Sequence, residues 1–242
     1  MSKAAIRYVK SLQDKKLRQK YSQFIVEGEK SITELLKSDF KIVKLYALED
    51  FIHGLNLKNK SFETIVVDAQ ELKQMSSHQA PQKALALVQI PDYGRAHACS
   101  PLVLGLDEIQ DPGNLGTIIR IADWYGISHV FCSKGCTDVY NPKCINSTMG
   151  SFLRVKVVYG DLKTFSEELN RPMMVAVLNG HNVHNTKLPD RGMLVIGNEG
   201  HGIHPQIIES AMHKLTIPRF GGAESLNAAI STAILLDNLL RQ

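Results

Sequence analysis

The chain has 242 residues, of which 44% are hydrophobic, 21% charged and 7% aromatic, a globular composition that fills one large or two modest domains. A disordered tail, a collagen-like repeat and a disulfide-dense miniprotein are thereby excluded. The net charge of +4 arises from 28 basic and 24 acidic residues, and the excess lies before residue 95, where 15 Lys/Arg face 11 Asp/Glu.

The first twenty residues hold seven basic side chains against one acidic, Asp14. Ile6, Val9, Leu12 and Leu17 recur near helical spacing there, which predicts a helix over about 3–20. A basic helix either steers phosphate backbones through counterion release or is a solvated face, and charge alone weighs the two nearly equally. A strand at Phe24–Val26, a helix over 29–38 and strands near 42–47, 64–67 and 84–90 follow. Together these make residues 1–94 a small α/β domain. PDYGRAHACSP, with two prolines, a glycine and few large apolar residues, supplies a linker at 95–101.

From residue 102 to 242, short apolar runs alternate with helical patterns. LVLGL, ISHVFC, VKVVY, MMVAVL, MLVIG and KLTI read as strands; NLGTIIRIADWYG, DLKTFSEELN, HPQIIESAMH and a final stretch over 225–240 read as helices. Unbroken apolar strands with helical crossovers imply a parallel sheet covered on both faces. Leu226, Ala229, Ile230, Ala233, Ile234, Leu235, Leu236, Leu239 and Leu240 leave the last helix little polar face, so it is expected to pack on more than one side. No apolar run reaches the roughly 20 residues a bilayer needs, and the N-terminus is too polar for a secretory signal. A cytoplasmic protein without a membrane partner is expected.

Cys99, Cys132, Cys136 and Cys144 are too few in this length for a disulfide framework and read as reduced thiols. Cys132-x3-Cys136, His181-x2-His184 and His201-x2-His204 each lack a third fixed ligand, so no metal is expected.

In a parallel sheet, ligands sit beyond the carboxyl ends of the strands. Three polar, glycine-bearing segments fall there: DPGNLGTIIR (111–120), GNEGHGI (197–203) and PRFGGAESLN (218–227). Glycines permit close approach of a ligand to the main chain, and three such segments at strand ends suggest one composite site. The Rossmann fingerprint, the P-loop and the Gly-x-Ser-x-Gly elbow are all missing, which disfavours nicotinamide, ATP and serine-hydrolase chemistry.

These segments resemble the three motifs of the SpoU (TrmH-like) family of RNA ribose 2′-O-methyltransferases, in the SPOUT class. Asn114, Gly116 and Arg120 match the first; Gly197, Glu199 and Gly202 the second; Ile217, Pro218, Ser225, Leu226 and Asn227 the third. FIVEGEKSITELL and SSHQAPQKALALVQIP, in the front half, are similar to the ribosomal-protein-like RNA-binding domain that precedes many members. The resemblance implies a parallel-sheet domain tied in a deep trefoil knot, S-adenosylmethionine as cofactor, and a homodimer with its active site near the interface. It implies a structured RNA substrate, with ribosomal RNA favoured and transfer RNA the nearest alternative. A catalytically silent RNA-binding or assembly protein is the competing class, against which the retention of Arg120, Glu199, Ser225 and Asn227 argues.

The resemblance also assigns roles. Its first-motif arginine, here Arg120, is held to activate the ribose 2′-hydroxyl. Guanidinium, with a pKa above about 12, is almost never a free base, which favours a charged donor stabilising the developing alkoxide; the arginine-as-base reading stays open. Glu199 would approach the reacting centre, and Ser225 and Asn227 would order the cofactor pocket and assist the ribose. Asn114, Ser225 and Asn227 have helix capping as the plain alternative, and Glu199 has a favourable helix dipole. Main-chain groups near Ile196, Gly197, Ile217 and Leu226 would read adenine, with Gly202, Leu178 and Asn179 completing the pocket. Arg219, Ala228 and His201 depart from common family residues, remove no reacting group and bear on substrate choice.

Overall fold

The structure, a computed structural model, describes residues 1–57, 60–78, 80, 82–94 and 100–241. The front half runs α1 (Lys3–Ser11), α2 (Lys15–Tyr21), β1 (Gln23–Glu27), α3 (Glu29–Leu35), β2 (Ile42–Ala47), α4 (Glu49–His53), β3 (Glu63–Val66), α5 (Ala69–Met75) and β4 (Ala84–Gln89). Then follow β5 (Leu102–Leu106), α6 (Pro112–Trp124), β6 (His129–Cys132), α7 (Pro142–Thr148), β7 (Lys156–Tyr159), α8 (Leu162–Glu168), β8 (Met173–Asn182), β9 (Gly192–Ile196), α9 (Pro205–Ser210), β10 (His213–Thr216) and α10 (Ala228–Leu240). By packing these form two units, Met1–Asp92 with Tyr140–Leu153, and Tyr93–Val139 with Arg154–Gln242. Residues 95–99 of the expected linker, Cys99 included, lie outside the described residues.

In the first unit the single helix expected over 3–20 is two. Asp14 caps α2 by accepting the N–H of Lys16 at 2.7 Å and of Leu17 at 3.3 Å, which halts α1 two residues earlier. Arg18 is 1% exposed, and its guanidinium donates to the carbonyls of Leu12 at 2.9 Å and Gln13 at 2.8 Å. One of the seven early cations is thus a buried tie across the break. α4 and α5 were not expected, although Asp68 and Glu71 form a capping box at the start of α5.

The first sheet has the order β1-β4-β2-β3, with only β2 and β3 parallel. Three of its strands, β1, β2 and β4, bury apolar residues on both faces. Phe24, Val26, Leu45, Ala47, Ala84, Ala86 and Val88 face one core; Ile25, Tyr46, Leu85 and Leu87 face the other with Val9, Leu12 and Met75. Ile145 and Phe152, from far along the chain, complete the first of these cores. The Phe24 ring lies 4.5 Å from that of Tyr140 and 6.1 Å from that of Phe152.

The second unit is one six-stranded sheet in the order β10-β8-β9-β5-β6-β7, every adjacent pair parallel. β5 and β9, at its centre, are buried throughout, as their unbroken apolar runs require. β8 continues past the expected MMVAVL to Asn182, and its far end pairs with β10 after a register break between Lys214 and Leu215. α10 starts at Ala228 rather than 225 and packs on α6 and β9. Ile230 and Leu240 stay exposed, so within one chain this apolar helix keeps an open edge. No helix among the described residues is long and apolar enough to cross a membrane.

Burial, with Lys156 adding to it, holds the His129 imidazole below its ordinary 6.5. As pH falls below 6.5, the unfolded chain takes the proton before the native one does, so this contribution to stability is lost on the acid side. Urea unfolding should therefore show a smaller drop in midpoint between about pH 8 and about pH 5 in His129→Gln than in the wild type. Equal drops would refute the assignment.

Candidate active site

The three polar segments leave β5, β9 and β10 at the same edge of the parallel sheet, and side-chain hydrogen bonds join them. The first begins with an Asp-Pro pair. Asp111 caps α6 by accepting the Asn114 N–H at 2.9 Å, with Pro112 in the first turn. The capping alternative considered for Asn114 therefore belongs to Asp111.

Asn227 does cap its helix, since its Oδ1 accepts the N–H of Ala229 at 2.9 Å and of Ile230 at 3.3 Å. That commits the accepting end of its amide and leaves Nδ2 to donate, which it does to Asn114 Oδ1 at 2.9 Å. Asn114 must then present its own Nδ2 outward, and this donates to Glu199 Oε1. A helix cap thus sets the polarity of a line that ends on a carboxylate, across 113 and 85 residues of sequence.

Glu199 sits on a loop built by its neighbour. Asn198 Oδ1 accepts from the N–H groups of Gly200 at 2.7 Å and His201 at 3.2 Å, while its Nδ2 donates to the Glu108 carbonyl at 2.9 Å. Its main chain exchanges hydrogen bonds with Gly202 at 3.0 and 2.9 Å. Gly202 has φ +72, the left-handed region, and a Cβ on Gly197 would lie 2.4 Å from the Gly202 carbonyl carbon. Buried Asp107 adds a second tie, accepting the His204 N–H at 2.8 Å. Sequence reasoning passed over both residues; the Asn-x-Gly turn signal marks Asn198, whereas nothing local marks Asp107.

Beside these loops opens a cavity of about 800 Å³. Every residue expected to touch a cofactor lines it: Leu178 and Asn179 of β8, Ile196, Gly197 and Gly202 around β9, and Ile217 and Leu226 beyond β10. Glu199 and Ser225 line it too. Ser225 caps nothing, and its hydroxyl has no partner among the described residues. Asn114 and Asn227 reach the cavity only through Glu199. Arg120 is not among the lining residues; it is exposed on α6, about 9 Å along the axis from Asn114, and has no partner among the described residues. No cluster of three His, Cys, Asp or Glu able to hold a metal occurs among the described residues.

The 197–202 loop leaves no room for a side chain at its first position. Gly197→Ala should cost about 1–3 kcal/mol, as overpacking against main chain does, and lower the melting temperature. Gly222→Ala, where a Cβ meets nothing within 4 Å, serves as control and should melt like the wild type.

A model of the SpoU rRNA Methylase family matches residues 101–237, and a model of an MRM3-like substrate binding domain matches residues 3–86. The 23S rRNA (guanosine(2553)-2′-O)-methyltransferase RlmP of Bacillus subtilis is 32% identical, over 95% of this chain and 93% of its own. The mitochondrial rRNA methyltransferase 3 of Mus musculus is 27% identical, over 93% of this chain and 69% of its own. Among solved structures, a TrmH-family protein from Porphyromonas gingivalis has a TM-score of 0.92 at 32% identity, covering 100% of this chain and 99% of that one. The SpoU methyltransferase AviRb of Streptomyces viridochromogenes, solved with AdoMet, has a TM-score of 0.88 at 23% identity over 99% and 98% of the two chains, a likeness of fold alone. With more than half of its length under one family model and a relative aligned almost end to end, the chain belongs to the SpoU rRNA methylase family.

Proposed function

We propose that this protein transfers a methyl group from S-adenosylmethionine to a ribose 2′-hydroxyl of structured RNA, with ribosomal RNA as the substrate. The observation that carries the reading is the Asn227–Asn114–Glu199 line, which ties the first loop to a cavity lined by the second and third. The rRNA activity in the name of the RlmP relative, aligned over both units of this chain, supports it.

The residues present fit the cofactor. The cavity volume lies within the roughly 300–1,000 Å³ usual for small-molecule sites. Its walls include aliphatic Ala176, Val177 and Leu215, suited to the flat face of adenine. The main-chain groups of Gly197 and Leu226 have no partner among the described residues, which leaves them to pair with the ring edge. When bound, S-adenosylmethionine supplies an electrophilic methyl group that leaves a neutral thioether on transfer.

The protein's own part is positioning and charge. Asn114 holds the Glu199 carboxylate at the rim, where it orients the ribose, and the unpartnered Ser225 hydroxyl adds a second polar contact. Arg120 donates to the target phosphate and to the 2′-oxygen, stabilising negative charge as the hydroxyl proton passes to a neighbouring phosphate or water. Reading the 2′-hydroxyl also separates RNA from DNA.

We infer that Arg120 reaches this centre in a homodimer. Arg120 and Trp124 stand one turn apart on the same face of α6; Trp124 is 84% exposed, and Ile230 of the packed α10 is 53% exposed. A second copy covering that face would bury both and bring its arginine to the cavity. The front unit would grip RNA through the cations of α1 and α2. The buried thiols Cys132, Cys136 and Cys144 suit a reducing cytoplasm.

Incubation with radiolabelled cofactor and ribosomal RNA from a strain lacking the protein, then nuclease digestion and mass spectrometry, should yield one 2′-O-methylnucleoside. A methylated base would overturn the ribose assignment, transfer RNA as the only acceptor would move the substrate, and no cofactor binding in calorimetry would favour a silent RNA binder. Arg120→Ala should lose about 100-fold or more in transfer rate, the scale of a missing transition-state donor, with cofactor affinity unchanged. Trp124→Glu should sediment as a monomer and lose activity; an active monomer would refute the interface.

A further inference from the structure

The third loop carries one side chain that the assignments above leave unused. Phe220 is 98% exposed, more than any other large apolar residue described, yet it lines the cavity. A phenyl ring left wholly in water forgoes the burial that normally fixes aromatic residues. The main chain nevertheless presents it in a defined way. Pro218 restricts the backbone two residues before it, and the Arg219 guanidinium donates to the Ala223 carbonyl at 3.1 Å, closing the loop across it. A Cβ on Gly221 or Gly222 would meet nothing within 4 Å, so none of the described residues covers the loop at those positions. Two cations, Lys214 and Arg219, line the same cavity.

We propose that Phe220 is the platform on which a base of the RNA substrate stacks while its ribose enters the site. The inference rests on the function proposed above and adds the group that receives the nucleotide. The wide minor groove of an RNA helix displays its 2′-hydroxyls, whereas a ribose drawn into a cavity at the ends of strands belongs to a nucleotide that has left its stack, as in a single-stranded loop. A base so released loses its stacking partners. An aromatic face at the point of entry replaces them, and Lys214 and Arg219 meet the flanking phosphates. Because every base has a π-face, such a platform tolerates any of the four and fixes placement rather than sequence. Arg219, one of the residues that depart from the common family pattern, therefore both shapes the loop that bears the ring and supplies charge to the same cavity.

The test uses the full-length protein, radiolabelled S-adenosylmethionine, and ribosomal RNA from a strain lacking the protein. Phe220→Ala should lower kcat/KM for RNA by about five- to a hundredfold, the range of one lost base–aromatic stack. Phe220→Tyr and Phe220→Trp should stay near the wild type, whereas Phe220→Leu, with similar bulk and no π-face, should resemble alanine. Cofactor affinity in calorimetry and sedimentation behaviour should be unchanged in all four. Unaltered RNA kinetics in the alanine variant would overturn the proposal, as would full rescue by leucine. A loss of cofactor affinity would make the ring a cover for the cofactor instead, and a change in assembly would make it a subunit contact; either result also overturns it. A wild-type protein that transfers no methyl group to RNA would bring down the underlying function, a failure visible before any variant is compared.

Discussion

An amide side chain has one end that accepts hydrogen bonds and one that donates, and at Asn227 both are committed. The cap on α10 takes the oxygen, so the nitrogen has only Asn114 to address, and Asn114 in turn only Glu199. The placement of the carboxylate follows from where two helices begin. This works because the strands are parallel: their carboxyl ends share one edge, so loops far apart in sequence become neighbours without further design. The amide line then converts proximity into alignment, which is what displacement at a methyl carbon by oxygen needs, since positioning of the reactants can supply about 7–11 kcal/mol of a reaction barrier.

Much of this was legible in the amino-acid sequence, and the failures have separate causes. LVLGL and MLVI carry no polar residue, and such strands can only be covered on both faces, so the central pair β5 and β9 declared themselves. The glycine-bearing loops were findable because they follow apolar strands, two of them this central pair and the third β10. The break in the first helix was not, because Arg18 reads as a surface charge until its guanidinium is seen closing Leu12 and Gln13. The far end of β8, Leu178–Asn182, has no apolar alternation and takes its conformation from pairing with β10. For Asn114 the local signal misled: Asp-Pro was the stronger capping pattern, and it freed the asparagine for a longer reach. For Arg120, nothing local in the sequence says on which side of its helix the cavity lies. Threading of the chain has no periodic signature at all, and general rules argue against knots; only the family resemblance raised it.

Electrostatics and packing divide the labour between the two units. The first buries two apolar layers on either side of a small sheet and keeps most of its early cations outside, with Arg18 the exception. The second keeps its polar chemistry at one edge and gives the rest of its sheet to aliphatic residues. What joins the design is the stretch from Tyr140 to Leu153, which leaves β6, lodges Ile145 and Phe152 in the first unit's core, and returns to β7.

That excursion changes what counts as a module. A graft made by a single crossover near residue 95 would separate Phe24 and Phe40 from the rings they touch, leaving an apolar hollow in the donor half and an unclothed hairpin of chain in the acceptor. Chimaeras that exchange the front unit between relatives therefore need three junctions, with the 140–153 insert travelling alongside residues 1–92. The same requirement would make the two segments vary together during divergence, although about fifty residues of intervening chain separate them.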